Sequence, residues 1–377
     1  MKSVLLRRVR AAVTHAAWIL ATACPIVATA QVTPPAPVEP TTAESAQPDR
    51  APAPDRAPAP DSAASQAEFA TRTKALQRAH AAVVGLEATA VEEAGSAATL
   101  GRERQGSGVV IERDGLVLTI GYLILEADHV DLALSGGRKV PARVVAYDLA
   151  TGFGLVQALF PLQTEPAPLG NSTAFAGNEP LLIASGGEDG GLSLAKMVSR
   201  RPFSGYWEYH IENAMFTAPA RPDHSGAGLF NADGELLGIG SLIVSDAMGK
   251  GQAAMRGNMF VPIDLLKPIL AELKERGLSR SSQRAWLGLN CVEHEGQIRV
   301  VRLTGSGPAE EAGVRPGDQI VRIDGVAVSD LESFYKALWR SDAEREVTLD
   351  IRRAGSTQTL KVQAIDRMKT LRRPEGV

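Results

Sequence analysis

The chain is short of the residues that usually declare a mechanism. It has two cysteines in 377 residues. Cys24 lies in an apolar N-terminal stretch that is expected to be removed, which leaves Cys291 without an intrachain partner. No disulfide framework therefore supports the fold, and Cys291 reads as a small buried hydrophobe. Aromatic residues make up 5% of the chain, too few for a platform on which single-stranded bases could stack. The formal net charge is -3, which offers no basic footprint for nucleic acid. No group of His, Cys, Asp and Glu has metal-ligand spacing; Cys291 and His294 alone do not make a zinc site. No cofactor is expected.

What is present begins at the N-terminus. A basic start, MKSVLLRRVR, precedes an apolar stretch that contains His15 and Pro25, and the small residues Ala28 and Ala30 precede Gln31. This is the pattern of a cleaved secretory signal over residues 1–30 rather than of a membrane span. The alternative is a lipoprotein acylated at Cys24. Residues 31–68 are rich in proline and alanine, with DRAPAP twice in tandem, and read as a disordered, extended linker. A secreted, periplasmic protein with no stable membrane span after cleavage is expected.

From residue 69 to residue 280 short apolar runs recur between Gly and Asp turns, as in GSGVVIE, GLVLTI, KVPARVVAY and LLGIGSLIV. This spacing predicts a mostly β domain of barrels or sandwiches. Asp233-Gly234 marks a hairpin turn, and LLKPILAELKERG reads as an amphipathic closing helix stopped at Gly277. Residues 284–366 form a second, smaller α+β unit, with helices expected at Pro308–Ala312 and Leu331–Trp339. Residues 367–377 are a basic tail.

The stretch RPDHSGAGLF (Arg221–Phe230) sets Ser225 between a polar turn and a glycine-rich run, a make of loop that can present a nucleophile beside free amides. With GPAEEAGVRPGDQIVRIDG (Gly307–Gly325), GSGVVIERDGLVLT (Gly106–Thr119) and HSGAGLFNADGELLGI (His224–Ile239), the chain resembles the HtrA family, which joins a trypsin-like serine protease domain to a C-terminal PDZ domain. The resemblance implies two six-stranded β-barrels with a catalytic triad between them. It also implies oxyanion-hole amides at Asp223 and Ser225. The triad segments depart from the family pattern. Tyr122 stands at the histidine position, in Thr119-Ile120-Gly121-Tyr122-Leu123, and Gly152 at the aspartate position, in Asp148-Leu149-Ala150-Thr151-Gly152; Ser225 is retained.

A serine hydroxyl needs a base within reach and the base needs an orienting partner. An unperturbed tyrosine titrates near pH ~10 and is no base at neutral pH, and glycine orients nothing. In a serine protease, loss of the serine or histidine alone lowers turnover about 10⁶-fold. Substitute bases to weigh are His80, His129, His210, His224, His294 and Lys196. The PDZ resemblance implies a carboxylate-binding loop at Trp286-Leu287-Gly288-Leu289, a peptide-pairing strand over Leu289–Glu293, and a groove helix with Phe334 and Leu338, which at helical spacing serve equally well as core. Two readings follow. One is an impaired protease homologue that binds peptides or unfolded envelope proteins as an adaptor, chaperone-like factor or regulator. The other is an active serine endopeptidase using Ser225 with a non-standard base. Several family members are trimers, so a homotrimeric scaffold is a further expectation.

Overall fold

The computed structural model describes residues 63–372 except Asn178 and Asp189. The expected signal peptide, Cys24, most of the proline-rich segment and residues 373–377 lie outside the described residues. Helix α1 (Ala63–Ala81) starts inside the expected linker, because residues 63–68 carry no proline and are mostly helix formers. It buries Ala75 and Ala79 and leaves most of its other side chains exposed.

Two closed barrels follow. The first contains β1 (Val83–Ala90), β2 (Glu103–Val110), β3 (Leu116–Ile120), β4 (Ala127–Ala133), β5 (Lys139–Tyr147) and β6 (Phe153–Ala158), with the short helix α2 (Ala97–Leu100) between β1 and β2. The second contains β7 (Leu181–Ala184), β8 (Leu192–Gly205), β9 (Tyr209–Ala218), β10 (Gly228–Phe230), β11 (Leu236–Val244) and β12 (Gly257–Pro262). Every neighbouring pair is antiparallel; β1 pairs both β2 and β4, and β7 pairs both β8 and β10, so neither barrel leaves an open edge. The apolar runs read from the sequence become the fillings: Val109, Leu118, Leu155 and Val156 are fully buried in the first barrel, and Ile183, Met215, Leu229 and Phe260 in the second. The Asp233-Gly234 turn joins β10 to β11 as expected.

The closing helix is shorter than its apolar pattern suggests. A 3₁₀ turn (Ile263–Leu265) comes first, and α3 spans only Leu270–Arg276 before Gly277. Pro268 has no N–H to give, so regular helix begins only beyond it. The small unit is one seven-stranded sheet of β13 (Ala285–Trp286), β14 (Leu289–His294), β15 (Gln297–Leu303), β16 (Gln319–Ile323), β17 (Val326–Ala327), β18 (Arg345–Arg353) and β19 (Ser356–Asp366). Its helices are α4 (Pro308–Glu311) and α5 (Leu331–Leu338). Asp330 caps α5: its carboxylate accepts from Ser333 N–H at 2.7 Å, and its own N–H donates to Ser333 Oγ at 3.4 Å. Strand β14 is the last in sheet order, so one of its edges pairs with no strand of the sheet.

Candidate active site and peptide groove

The first barrel presents Tyr122 on a 3₁₀ turn (Gly121–Leu123) directly after β3. Arg104, buried under that turn, pins it by donating from Nη1 to the carbonyls of Tyr122 (3.0 Å) and Leu125 (2.6 Å). The second barrel presents Ser225 on the loop between β9 and β10. Gly226 makes that loop fit: its φ is +74°, and a Cβ there would stand 1.9 Å from the Ser107 carbonyl oxygen. The Ser107 N–H in turn donates to the Ser225 carbonyl at 2.8 Å, which ties the serine loop to the opposite barrel.

The fold therefore brings Tyr122 and Ser225 together, with 2.7 Å between their hydroxyl oxygens. Tyr122 Oη also lies 2.8 Å from the Ser241 carbonyl oxygen. A carbonyl only accepts, and a phenol has one proton. Both contacts are satisfied when Tyr122 donates to Ser241 and Ser225 donates to Tyr122. Ser225 then gives its proton to a neutral phenol oxygen, a hydrogen-bond acceptor but no base. Burial pushes the Tyr122 phenol up to about 12, only partly countered by the Ser225 hydrogen bond, so the phenolate is absent at neutral pH.

Gly152 occupies the loop between β5 and β6. Its φ is +82°, and a Cβ on it would meet Tyr209 Oη at 2.9 Å. Tyr209, buried at the start of β9, fills the space where a longer side chain would project. Its hydroxyl donates to the Thr151 carbonyl at 2.8 Å and its ring stacks on Trp207 at 5.7 Å. Asp148, the acidic residue nearest in sequence, is committed elsewhere. It accepts from Thr151 N–H (2.8 Å), Thr151 Oγ1 (2.6 Å) and Ser282 Oγ (2.5 Å), and also from Ser279.

The substitute bases do not converge on Ser225; among the described residues no histidine or lysine hydrogen-bonds its hydroxyl. His224 directs Nδ1 to the carbonyls of Arg221 (3.1 Å) and Pro222 (3.0 Å), and burial lowers its ring pKa. His210 sits beside Ser204 Oγ at 2.9 Å and Glu212 at 3.3 Å. His80, His129, His294 and Lys196 are exposed. At the expected oxyanion hole, no acceptor for the Ser225 N–H is found among the described residues, and Asp223 has a half-buried carboxylate. That carboxylate pairs with Arg221 and with Ser185 Oγ, and Arg221 holds it below the usual carboxylate range. His210, Glu212 and Glu332 lie close enough to suggest a cation site. Its cation is Lys336, 2.7 Å from Glu212 and 2.6 Å from Glu332.

In the small unit the expected carboxylate loop has a carboxylate in it. Leu289 N–H donates to Glu208 at 2.7 Å, and Leu287 N–H lies 3.2 Å and 3.3 Å from its two oxygens. Glu208 belongs to the turn between β8 and β9 of the second barrel. The side chains of Leu287, Phe334 and Leu338 are wholly buried in the small unit's core. Burial of Phe334 and Leu338 fits either of the roles open to them, and Gly288 is buried in the loop that Glu208 occupies. Sequence reasoning missed Glu208, Tyr206, Tyr209, Ser241 and Tyr335. The one trace was Tyr206-Trp207-Glu208-Tyr209, a dense aromatic patch around an acid in an aromatic-poor chain.

Comparison with known proteins agrees with this architecture. Residues 106–239 match the trypsin-like peptidase domain and residues 285–364 the PDZ domain. HhoA of Synechocystis sp., named as a serine protease, is 28% identical over 69% of this chain and 70% of its own length. A DegP-like protein of Pseudomonas fulva, named as a periplasmic serine endoprotease, is 28% identical over 70% of this chain, which spans 57% of that relative. A solved structure of the HtrA-type protease AlgW with a decapeptide superposes with a TM-score of 0.51 at 21% identity, covering 78% of this chain and 98% of that one, and shares its fold. Two trypsin-like barrels followed by a PDZ domain, matched in that order, mean that the chain belongs to the HtrA family.

Proposed function

We propose that this HtrA-family chain is a catalytically impaired protease homologue. It would hold peptides or unfolded envelope proteins through its PDZ groove, as an adaptor, chaperone-like factor or regulator. One observation carries the reading: the hydroxyl that meets Ser225 belongs to a tyrosine whose own proton is committed to the Ser241 carbonyl. Nucleophilic attack needs the Ser225 proton to move to a base as the bond to the acyl carbon forms. No neighbouring group accepts it at neutral pH. Gly152 and Tyr209 likewise leave no carboxylate to orient a base.

Location in the envelope is supported by the N-terminal signal pattern and by relatives named as periplasmic. Among the described residues no helix is long and apolar enough to cross a membrane. The test incubates the purified chain with unfolded casein and with a fluorophosphonate probe, beside Ser225→Ala. Equal, background-level cleavage and labelling are expected. Ser225-dependent turnover would instead establish the active endopeptidase with a non-standard base. Light scattering on the same preparation reads whether the chain assembles as the homotrimer that the family resemblance implies.

A further inference from the structure

The β8–β9 turn does more than touch the PDZ domain. Tyr206 lies along β14, and its carbonyl accepts from Cys291 N–H at 2.9 Å, as the carbonyl of an added strand does. Two residues on, the Glu208 carboxylate enters the loop and takes the Leu287 and Leu289 amides. Tyr335 on α5 clasps the turn from the other side. Its hydroxyl donates to the Gly205 carbonyl at 2.7 Å and accepts from Glu208 N–H at 3.2 Å. Glu208 has a φ of +56°, a conformation that side-chain-bearing residues rarely take. That bend lets the main chain turn back into β9 while the side chain stays in the loop. Lys336 bridges α5 to Glu212 on β9, and Arg367 donates to the Trp207 carbonyl at 3.2 Å.

We propose that Gly205–Glu208 is a built-in ligand of the PDZ groove. The Glu208 side-chain carboxylate stands where the terminal carboxylate of a bound chain would stand, and a partner with a free C-terminus binds by displacing this hairpin. The inference rests on the reading that the groove takes chain ends. It adds that the groove is closed until the hairpin leaves.

Acidity bears on the closure. The charged and titratable groups facing Glu208 are Arg367 from the turn after β19, Cys291 from β14 and Tyr335 from α5. Burial raises the Glu208 carboxyl to about 7 from 4.5, against the opposing pull of the Leu289 amide and Arg367. The closed state thus binds the proton more tightly than the open one. Closure is strongest below pH 4.5 and weakens as pH rises to about 7. Through that window the closed-to-open ratio falls by up to about tenfold per pH unit.

The probe is a fluorescein-labelled hexapeptide, Phe-Ser-Gly-Tyr-Trp-Val, with a free C-terminal carboxylate, beside its amidated twin. Binding is read by anisotropy on the whole chain, and closure by hydrogen exchange at the Leu287, Leu289 and Cys291 amides. Glu208→Ala is expected to bind the free-carboxylate probe at least tenfold more tightly than the parent chain and to exchange faster at those amides. The twin should bind neither. Between pH 5 and 7.5 the parent's affinity should rise, while that of Glu208→Ala and of the more conservative Glu208→Gln stays flat. Unchanged exchange and unchanged affinity in both variants would overturn the built-in ligand. Faster exchange with no probe bound would support the built-in ligand and overturn the peptide-binding reading instead.

Discussion

Placing at Tyr122 and Gly152 the histidine and aspartate that the family resemblance implies is expected to give no working triad, and the reason is Tyr209. In Tyr122→His/Gly152→Asp the new aspartate takes a left-handed backbone position at φ +82°, a strain of about 1–3 kcal/mol for a residue with a side chain. Its Cβ meets Tyr209 Oη at 2.9 Å and a ring carbon at 3.4 Å, and overpacking of this kind adds about 1–3 kcal/mol. The carboxylate has no room to reach the new histidine. A triad histidine without its oriented carboxylate works about 10⁴-fold more slowly. Fluorophosphonate labelling, read by gel fluorescence against a Ser225→Ala background, should therefore stay near background in the double variant. Adding Tyr209→Ala removes the obstruction at Gly152. The triple variant should label on the order of tenfold faster or better, although loss of a buried aromatic costs about 3–5 kcal/mol of stability. The reasoning is refuted if the double variant labels as fast as the triple one in a Ser225-dependent manner.

Three further outcomes are open to measurement. Tyr122→Phe strips the Ser241 carbonyl of its donor and should destabilise the chain by about 1–3 kcal/mol, read as a lower urea midpoint; an unchanged midpoint would contradict the hydrogen-bond assignment. Asp223→Asn removes a carboxylate held below its ordinary value of 3.8, chiefly by Arg221. The parent's advantage, of order 1 kcal/mol or less for a pair this open to solvent, should be present above that value and vanish as pH falls below it; a gap that persists in acid would count against the pairing. Cys291 is buried and its thiol is pushed up by burial. It should resist alkylation at pH 8 until denaturant is added, and rapid labelling of the native chain would place it elsewhere.

Most of the architecture was legible in the chain because it depends on local pattern. Short apolar runs between Gly and Asp turns became the barrel strands, and Asp233-Gly234 became the expected hairpin. Leu331–Leu338 became a capped helix because Asp330 and Ser333 lie three apart. The closing helix shows the limit of pattern: its apolar spacing was read correctly as amphipathic, yet Pro268 delayed its start. The assignment of Tyr122, Gly152 and Ser225 to triad positions rests on the family resemblance, since a motif identifies a residue by its neighbours in sequence. What surrounds those positions was not. Nothing near Gly152 announces that Tyr209 fills the space beside it, and nothing near Leu287 points to Glu208.

By itself, then, the sequence determined the order of modules and the alternation that fills two barrels, and it put Tyr122 and Gly152 where the family resemblance implies histidine and aspartate. Only the tertiary structure decided where the protons and carboxylates go. It set Tyr122 between Ser225 and the Ser241 carbonyl, closed the space at Gly152 with Tyr209, and put the neighbouring Glu208 into the loop of the other domain. The physical reason is range. Strand periodicity and turn chemistry act over a few residues, whereas a hydrogen bond between Leu289 and Glu208 exists only once the barrel and the PDZ domain have packed together.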